Sequence, residues 1–104
     1  MPYKILISNE FDHDFQKLDH SLQIQISKEI SQLEENPYVG KLLGFSFFRE
    51  KKILNYRIYY LIYDNYVAVF VIALSTKKDQ QDVINKIKHL LPYYKEEVKK
   101  RING

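Results

Sequence analysis

The segment from Phe45 to Leu74 constrains the fold more than any other part of the chain, because aromatic and β-branched residues dominate it. It predicts three consecutive strands at Phe45–Ile53, Leu54–Tyr63 and Tyr66–Leu74. Asp64-Asn65 is a two-residue hairpin signal between the last two strands. The last predicted strand is apolar on both of its faces, so both must be covered. We therefore expect an antiparallel meander with helices packed on either side.

Two helices are predicted ahead of the meander, after a short β-rich run at Tyr3–Ser8. Ser8 or Asn9 can cap the first helix, and Ser21 can cap the second, which Pro37 ends. The apolar stripe residues are Phe11, Phe15 and Leu18 in the first helix and Leu22, Ile26, Ile30 and Leu33 in the second. We expect these helices to form an antiparallel hairpin that covers one face of the sheet.

A third helix is predicted at Asp79–Leu91, where it would cover part of the other face of the sheet. Its inward-facing residues are expected to be Val83, Ile87 and Leu90 or Leu91. Pro92 interrupts this helix.

Residues 93–104 are rich in lysine, and only Val98 and Ile102 are periodic apolar positions. This pattern is consistent with a short amphipathic helix or with a tail, and we favour a tail that becomes ordered on a partner. The expected organisation is one domain at residues 1–91 followed by a basic tail or short helix at residues 92–104.

The length and composition set further bounds on the class of protein. A chain of 104 residues forms one domain with a single core. The absence of cysteine excludes disulfides and thiolate chemistry. No stretch is long and apolar enough for a membrane span, and the amino terminus lacks a signal-peptide pattern, so we expect a soluble cytoplasmic protein. The three histidines, His13, His20 and His89, show no metal-ligand spacing, so no metal site is expected.

Positive charge is concentrated in the predicted sheet. Residues 1–36 contain three Lys and seven Asp or Glu, a net charge of −4. The whole chain carries +3, so the remaining residues carry +7. The cations threaded through the predicted strands and their ends are Lys41, Arg49, Lys51, Lys52, Arg57, Lys77 and Lys78. Such a patch suits a polyanion such as RNA or DNA. Solvated lysines at strand edges explain the same pattern equally well.

The chain resembles the RelE/ParE superfamily of bacterial and archaeal toxins, and the resemblance covers it to about Leu91. The similarity lies in the order of strand, helix hairpin and meander, in the segment Glu35–Gly44, and in Phe48-Arg49 and Tyr56-Arg57-Ile58. It implies a small α+β domain with a curved, mainly antiparallel four-stranded sheet. The helix hairpin would pack on one face, and a carboxy-terminal helix would complete the fold.

The resemblance also implies a function. RelE-like toxins enter the ribosomal A site and cut messenger RNA, and the ribose 2′-hydroxyl attacks the adjacent phosphate without a metal or other cofactor. The implied partners are a cognate antitoxin protein, which would form a hetero-oligomer with the toxin, and the ribosome with its message.

The same resemblance points to the residues that would act. Arg57 matches the family's strand arginine, whose guanidinium can hold two phosphate oxygens. Lys77 matches a basic position after the last strand, and Lys51 and Lys52 match basic positions on the preceding strand more loosely, because a one-residue shift in register would exchange their faces. The expected RNA-binding residues are Lys41, Arg49, Lys78 and Tyr59.

One feature departs from the family. Many members that cut RNA have a tyrosine or histidine shortly after the last basic position, and this chain has none there. The candidate substitutes in acid–base chemistry are Tyr59, Asp79, Asp82, His89, Tyr93 and Tyr94. Lys51 or Lys52 is a further candidate base if neighbouring cations lower its pKa. Two other functions therefore stay open: a ParE-like DNA gyrase poison, and a family member that binds RNA or antitoxin without catalysis. Apart from the resemblance, the sequence is also consistent with Arg57 as a structural arginine paired with a carboxylate.

Overall fold

The computed structural model describes residues 2–104 as one five-stranded sheet with a pair of helices on each face. The strands are β1 (Lys4–Ile7), β2 (Lys41–Leu42), β3 (Phe48–Ile53), β4 (Tyr56–Tyr63) and β5 (Ala68–Thr76). The helices are α1 (Asn9–Gln16), α2 (His20–Gln32), α3 (Gln80–His89) and α4 (Leu91–Asn103). Short 3₁₀ turns lie at Pro37–Val39, Asp64–Tyr66 and Lys77–Asp79.

The strand order is β1-β5-β4-β3-β2. β1 runs parallel to β5 and every other pair is antiparallel, so the predicted α+β class and mainly antiparallel sheet are confirmed. The sheet has five strands and not the expected four. The fifth is β2, whose Lys41 and Leu42 pair with Glu50 and Arg49. Two residues are too few to give a sequence signal of their own.

Side chains of β4 alternate between two hydrophobic cores, as the period of two predicts. Tyr59 and Leu61 enter the core under α3 and α4, whereas Ile58 and Tyr60 enter the core under α1 and α2. We call these sides the α3–α4 face and the α1–α2 face. The pairing with β5 shifts between Tyr59 and Tyr60, and this bulge locally increases the twist of the sheet.

The amino-terminal helices begin at side-chain caps. The Ser8 hydroxyl accepts a hydrogen bond from the backbone N–H of Phe11, as predicted for the first helix. The second helix is capped by Asp19 and not by Ser21, because the Asp19 carboxylate accepts from the backbone N–H of Leu22 and from the Ser21 hydroxyl. Both caps satisfy backbone donors that the first helical turn leaves free.

The carboxy-terminal segment is a helix, so the preference for a tail was wrong. Tyr94 and Val98 of α4 are buried in the core of the α3–α4 face. Arg101 donates a hydrogen bond of 2.6 Å to the carbonyl of Ile7, and its guanidinium lies 5.2 Å from the ring centre of Phe70. These contacts attach α4 to β1 and β5.

The two turns of the meander differ from the expected ones. β3 and β4 are joined by Leu54-Asn55, with Leu54 at a φ of 55°. β4 and β5 are joined by the 3₁₀ turn Asp64–Tyr66, with Val67 at a φ of 50°, in place of a two-residue hairpin. Only Asn55 is a common turn residue at the first site, so composition does not reveal that turn.

Candidate functional site

A polar patch lies on the α3–α4 face where β3 and β5 end and β4 begins. Lys52 is directly opposite Arg57, and Arg57 is opposite Ser75. Two residues farther along, Glu50 is opposite Tyr59. Residues that lie directly opposite in antiparallel strands share a face. These five side chains therefore form one continuous group, which we call the polar patch.

The guanidinium of Arg57 contacts the polar patch through its Nε atom, which pairs with Glu50. Its Nε lies 3.1 Å from Oε1 of Glu50, and the two residues are 8% and 5% exposed, respectively. The amide of Gln80, the first residue of α3, donates hydrogen bonds of 2.9 Å to both Glu50 oxygens. Within residues 2–104 the two terminal nitrogens of Arg57 donate no hydrogen bond, and neither is a buried unpartnered atom. Each therefore keeps a small accessible surface and has donors that the described residues do not use.

Tyr59 is part of the core, which contradicts its predicted RNA-binding role. Its side chain is fully buried, and its hydroxyl lies 2.8 Å from the Ser75 hydroxyl. Burial raises the pKa of Tyr59 above the ordinary value of a phenol. A buried ring cannot stack on a base, and a phenol with a raised pKa does not act as a base at neutral pH.

The register of β3 separates the two lysines that the sequence leaves ambiguous. Lys52 shares the face of Arg57, is exposed, and takes part in no ion pair within residues 2–104. Lys51 lies opposite Ile58 on the α1–α2 face, where its Nζ is 3.2 Å from Oε2 of Glu29. Of the two candidates, only Lys52 belongs to the polar patch.

Arg49 is a structural residue, in contrast to its predicted contact with RNA. It lies opposite Tyr60, on the α1–α2 face. Its Nε donates to the carbonyl of Ser46 at 2.9 Å, and its Nη1 donates to the carbonyls of Gly40 and Tyr38 at 3.1 and 3.3 Å. These bonds tie together the segments on either side of β2, and they use the Nε and Nη1 donors of the guanidinium.

Three further predicted cations are exposed. Lys77 and Lys78 lie in the 3₁₀ turn that directly follows β5, close in sequence to Ser75 of the polar patch. Lys41 of β2 lies opposite Glu50 on the α3–α4 face. None of the three forms an ion pair in the described part of the chain. Together with Lys52 of the polar patch, they make four cations that have no ion pair within residues 2–104.

The acid–base candidates from the sequence are scattered. Tyr94 is buried, and desolvation raises its pKa to about 12. Tyr93 is 60% exposed on α4, and His89 is exposed at the opposite end of α3 from Gln80, about 13 Å away at 1.5 Å per residue. Asp79 and Asp82 are exposed beside Lys77 and Lys78.

The sequence analysis does not single out Glu50, which belongs to the polar patch, or Gln80, which contacts it from α3. A signal for Glu50 existed, because a residue two positions before Lys52 must share its face in a strand. Gln80 has no such signal, since its position depends on how α3 crosses the sheet.

Two classes of feature are not found in residues 2–104. There is no cluster of three or more His, Asp or Glu residues arranged to hold a metal ion. None of the four helices has the length and hydropathy needed to cross a bilayer.

Comparisons with known proteins identify the family. Residues 5–84 match the family model of the ParE toxin of type II toxin–antitoxin systems. A putative RelE-like toxin protein of Escherichia coli is 27% identical over 89 residues, which is 82% of this chain and 93% of the relative.

Solved structures have the same fold. The toxin in the intact RelBE toxin–antitoxin complex of E. coli is 26% identical with a TM-score of 0.65, covering 71% of this chain and 95% of that one. An archaeal RelE–RelB complex from Pyrococcus horikoshii has a TM-score of 0.65 at 18% identity, covering 74% and 97%. The chain described here therefore belongs to the RelE/ParE superfamily and is a toxin of a type II toxin–antitoxin module.

Proposed function

We propose that this toxin is a ribosome-dependent messenger-RNA endonuclease that cuts by attack of the ribose 2′-hydroxyl and needs no metal. The observation that carries the proposal is Arg57, whose two terminal nitrogens donate no hydrogen bond within residues 2–104 and lie beside cations that have no internal counter-ion. A planar guanidinium held by Nε presents a fixed pair of donors, which suits two oxygens of one phosphate.

The proposed chemistry needs positive charge at the phosphate, because charge grows on its oxygens in the transition state. Arg57 would bind those oxygens. Lys52 is the nearest cation across the strand pair, since Cβ atoms of directly opposite residues lie about 4.5–5.5 Å apart. Lys41, Lys77 and Lys78 would bind neighbouring phosphates of the message.

We further propose that a cognate antitoxin binds this toxin in a hetero-oligomer in the cytoplasm and keeps it from the ribosome. The support is the fold shared with RelE-type toxins that were solved with RelB-type antitoxins. An antitoxin that covers the polar patch would block the message directly.

DNA gyrase poisoning is a second candidate function. The specific observation in its favour is that neither tyrosine nor histidine accompanies Lys77 and Lys78, and that the family model is that of the ParE toxins. A gyrase poison would need no catalytic group.

Induction of the toxin in growing cells, followed by separate measurement of RNA cuts and DNA breaks, distinguishes these functions. The nuclease predicts cuts within translated messages and intact chromosomal DNA, and it predicts that Arg57→Ala removes both the cuts and the growth arrest. Growth arrest with DNA breaks and uncut messages would overturn the nuclease and support the gyrase poison.

A further inference from the structure

The polar patch contains a carboxylate that basic surfaces for RNA do not require. Glu50 is the only acidic residue in the five strands of the described chain, and it is almost fully buried. A buried ion pair contributes little net stability, because desolvation of both charges offsets their attraction. Stability alone therefore gives no strong reason for a glutamate at this position.

The contacts of Glu50 leave one oxygen less occupied than the other. Oε1 accepts from the amide of Gln80 and forms the ion pair with Nε of Arg57, whereas Oε2 accepts only from Gln80. A carboxylate oxygen accepts more than one hydrogen bond, so Oε2 retains acceptor capacity. Gln80 fixes the carboxylate from α3, and Arg57 fixes it within the sheet.

We infer that Glu50 is the general base of the proposed RNA cleavage and takes the proton of the attacking 2′-hydroxyl. This inference rests on the function proposed above. A phosphate bound by the terminal nitrogens of Arg57 would bring its own ribose next to the carboxylate that holds the Nε of the same guanidinium. General-base catalysis requires this proximity before any other property.

The step balances in atoms and charge. The 2′-oxygen gives its proton to Glu50 and its electron pair to phosphorus, which forms the cyclic phosphate. The bond from phosphorus to the 5′-oxygen breaks, and that oxygen takes a proton from the ammonium of Lys52 or from water. Glu50 then returns its proton to solvent, and Lys52 is reprotonated by water.

Other candidates for the base are less well placed. The phenols of Tyr59 and Tyr94 are buried, which keeps them protonated at neutral pH. Asp79 and Asp82 lie outside the sheet, at the start of α3, and neither contacts Arg57 in the described residues. Glu50 is the carboxylate that does contact it.

Glu50→Gln tests the assignment, because the amide has nearly the same shape but cannot take the proton. In single-turnover cleavage of ribosome-bound message, we expect the rate constant to fall on the order of 100- to 10,000-fold while ribosome binding stays within about twofold. The matched control is Glu29→Gln, which alters a carboxylate that pairs with the other face of β3. It should cut at the wild-type rate.

Different outcomes separate this inference from the proposed function. Near-wild-type or faster cutting by Glu50→Gln would show that Glu50 only competes with the phosphate for Arg57, and would overturn the inference while the nuclease stands. A wild-type toxin that makes no Arg57-dependent cut would overturn both.

If thermal melting shows that Glu50→Gln is unfolded, Glu50→Asp and Gln80→Ala provide the test. Both keep a carboxylate but displace or loosen it, so both should cut more slowly than the wild type with unchanged ribosome binding. Full cutting rates in both variants would overturn the inference.

Discussion

Each face of the sheet has one lysine and one arginine from the central strands, but the two pairs differ in how many of their donors the protein itself uses. On the α1–α2 face, Lys51 is paired with Glu29, and Arg49 donates its hydrogen bonds to backbone carbonyls. On the α3–α4 face, Lys52 has no ion pair within residues 2–104, and Arg57 keeps its two terminal nitrogens free. The number of cations in a sheet therefore does not identify a binding site. What identifies it is which cations keep donors that the fold itself does not use.

Among the residues of the two faces, Arg57 should have the largest effect on RNA cleavage when it is removed. We expect Arg57→Ala to lower the single-turnover cleavage rate about a thousandfold, because a charge-assisted bidentate contact to the transition state is lost. Arg57→Lys keeps the positive charge but loses the planar pair of donors. Its cleavage rate should lie between those of the wild type and Arg57→Ala. A loss of less than tenfold in Arg57→Ala would show that the polar patch is not the catalytic surface.

The adjacent lysines of β3 give a smaller but better matched contrast. Lys52→Ala should reduce cleavage about ten- to a hundredfold, since it removes one cation next to the phosphate. Lys51→Ala should cut within about twofold of the wild type, because its ammonium is bound to Glu29 on the other face. Equal losses in the two variants, measured in the same assay, would contradict the division of the faces.

Tyr59→Phe tests whether the ring serves the core or the ligand. We expect a loss of about 1 kcal/mol in the free energy of unfolding, measured by urea denaturation, because the buried hydrogen bond with Ser75 disappears. Cleavage should stay within twofold of the wild type. A large loss of cleavage in a stably folded Tyr59→Phe would restore the direct RNA contact that its burial contradicts.

The smallest expected effect is a change in the pKa of Tyr38, which contacts the turn after β4 and lies away from the polar patch. Hydrogen bonding to Asp64 raises the pKa of Tyr38 to about 12. Asp64→Asn should therefore move the pKa of Tyr38 down toward 10, the ordinary phenol value, in an ultraviolet pH titration. An unchanged titration would show that burial alone sets that value.

The same aspartate predicts a pH dependence of stability. Hydrogen bonds from Tyr38 and Tyr3 lower the pKa of the Asp64 carboxyl in the folded protein. The stabilisation is therefore fully present above the unfolded pKa, about 4, and is lost as the pH falls through the lower folded value. Asp64→Asn should be less sensitive to acid over this window in thermal melts, and identical acid sensitivity would contradict the contact.

Much of the fold follows from periodicity. Side chains alternate along β4 between the two cores, as the period of two of any strand requires, and the apolar stripes of α1 and α2 predict the helix hairpin. α4 was misjudged because only Val98 and Ile102 appear as periodic apolar residues. Its packing also uses the ring of Tyr94 and the guanidinium of Arg101, which local sequence does not mark as buried.

The site was less predictable than the fold. The resemblance singles out Arg57, but the sequence leaves open whether Lys51 or Lys52 shares its face, and only the pairing of β3 with β4 assigns Lys52 to it. The pairing of Glu50 with Arg57 and Gln80 brings together residues from β3, β4 and α3, and no local pattern encodes such a contact. The role of Arg49 likewise depends on the path of the loop before β2.

The most direct test of the account is primer extension on one message with the wild-type toxin, in a translation extract and again without ribosomes. We expect discrete cuts within codons that appear only with ribosomes and disappear in Arg57→Ala. An uncut message, or the same cuts from Arg57→Ala, would contradict the claim that the polar patch around Arg57 cuts ribosome-bound RNA.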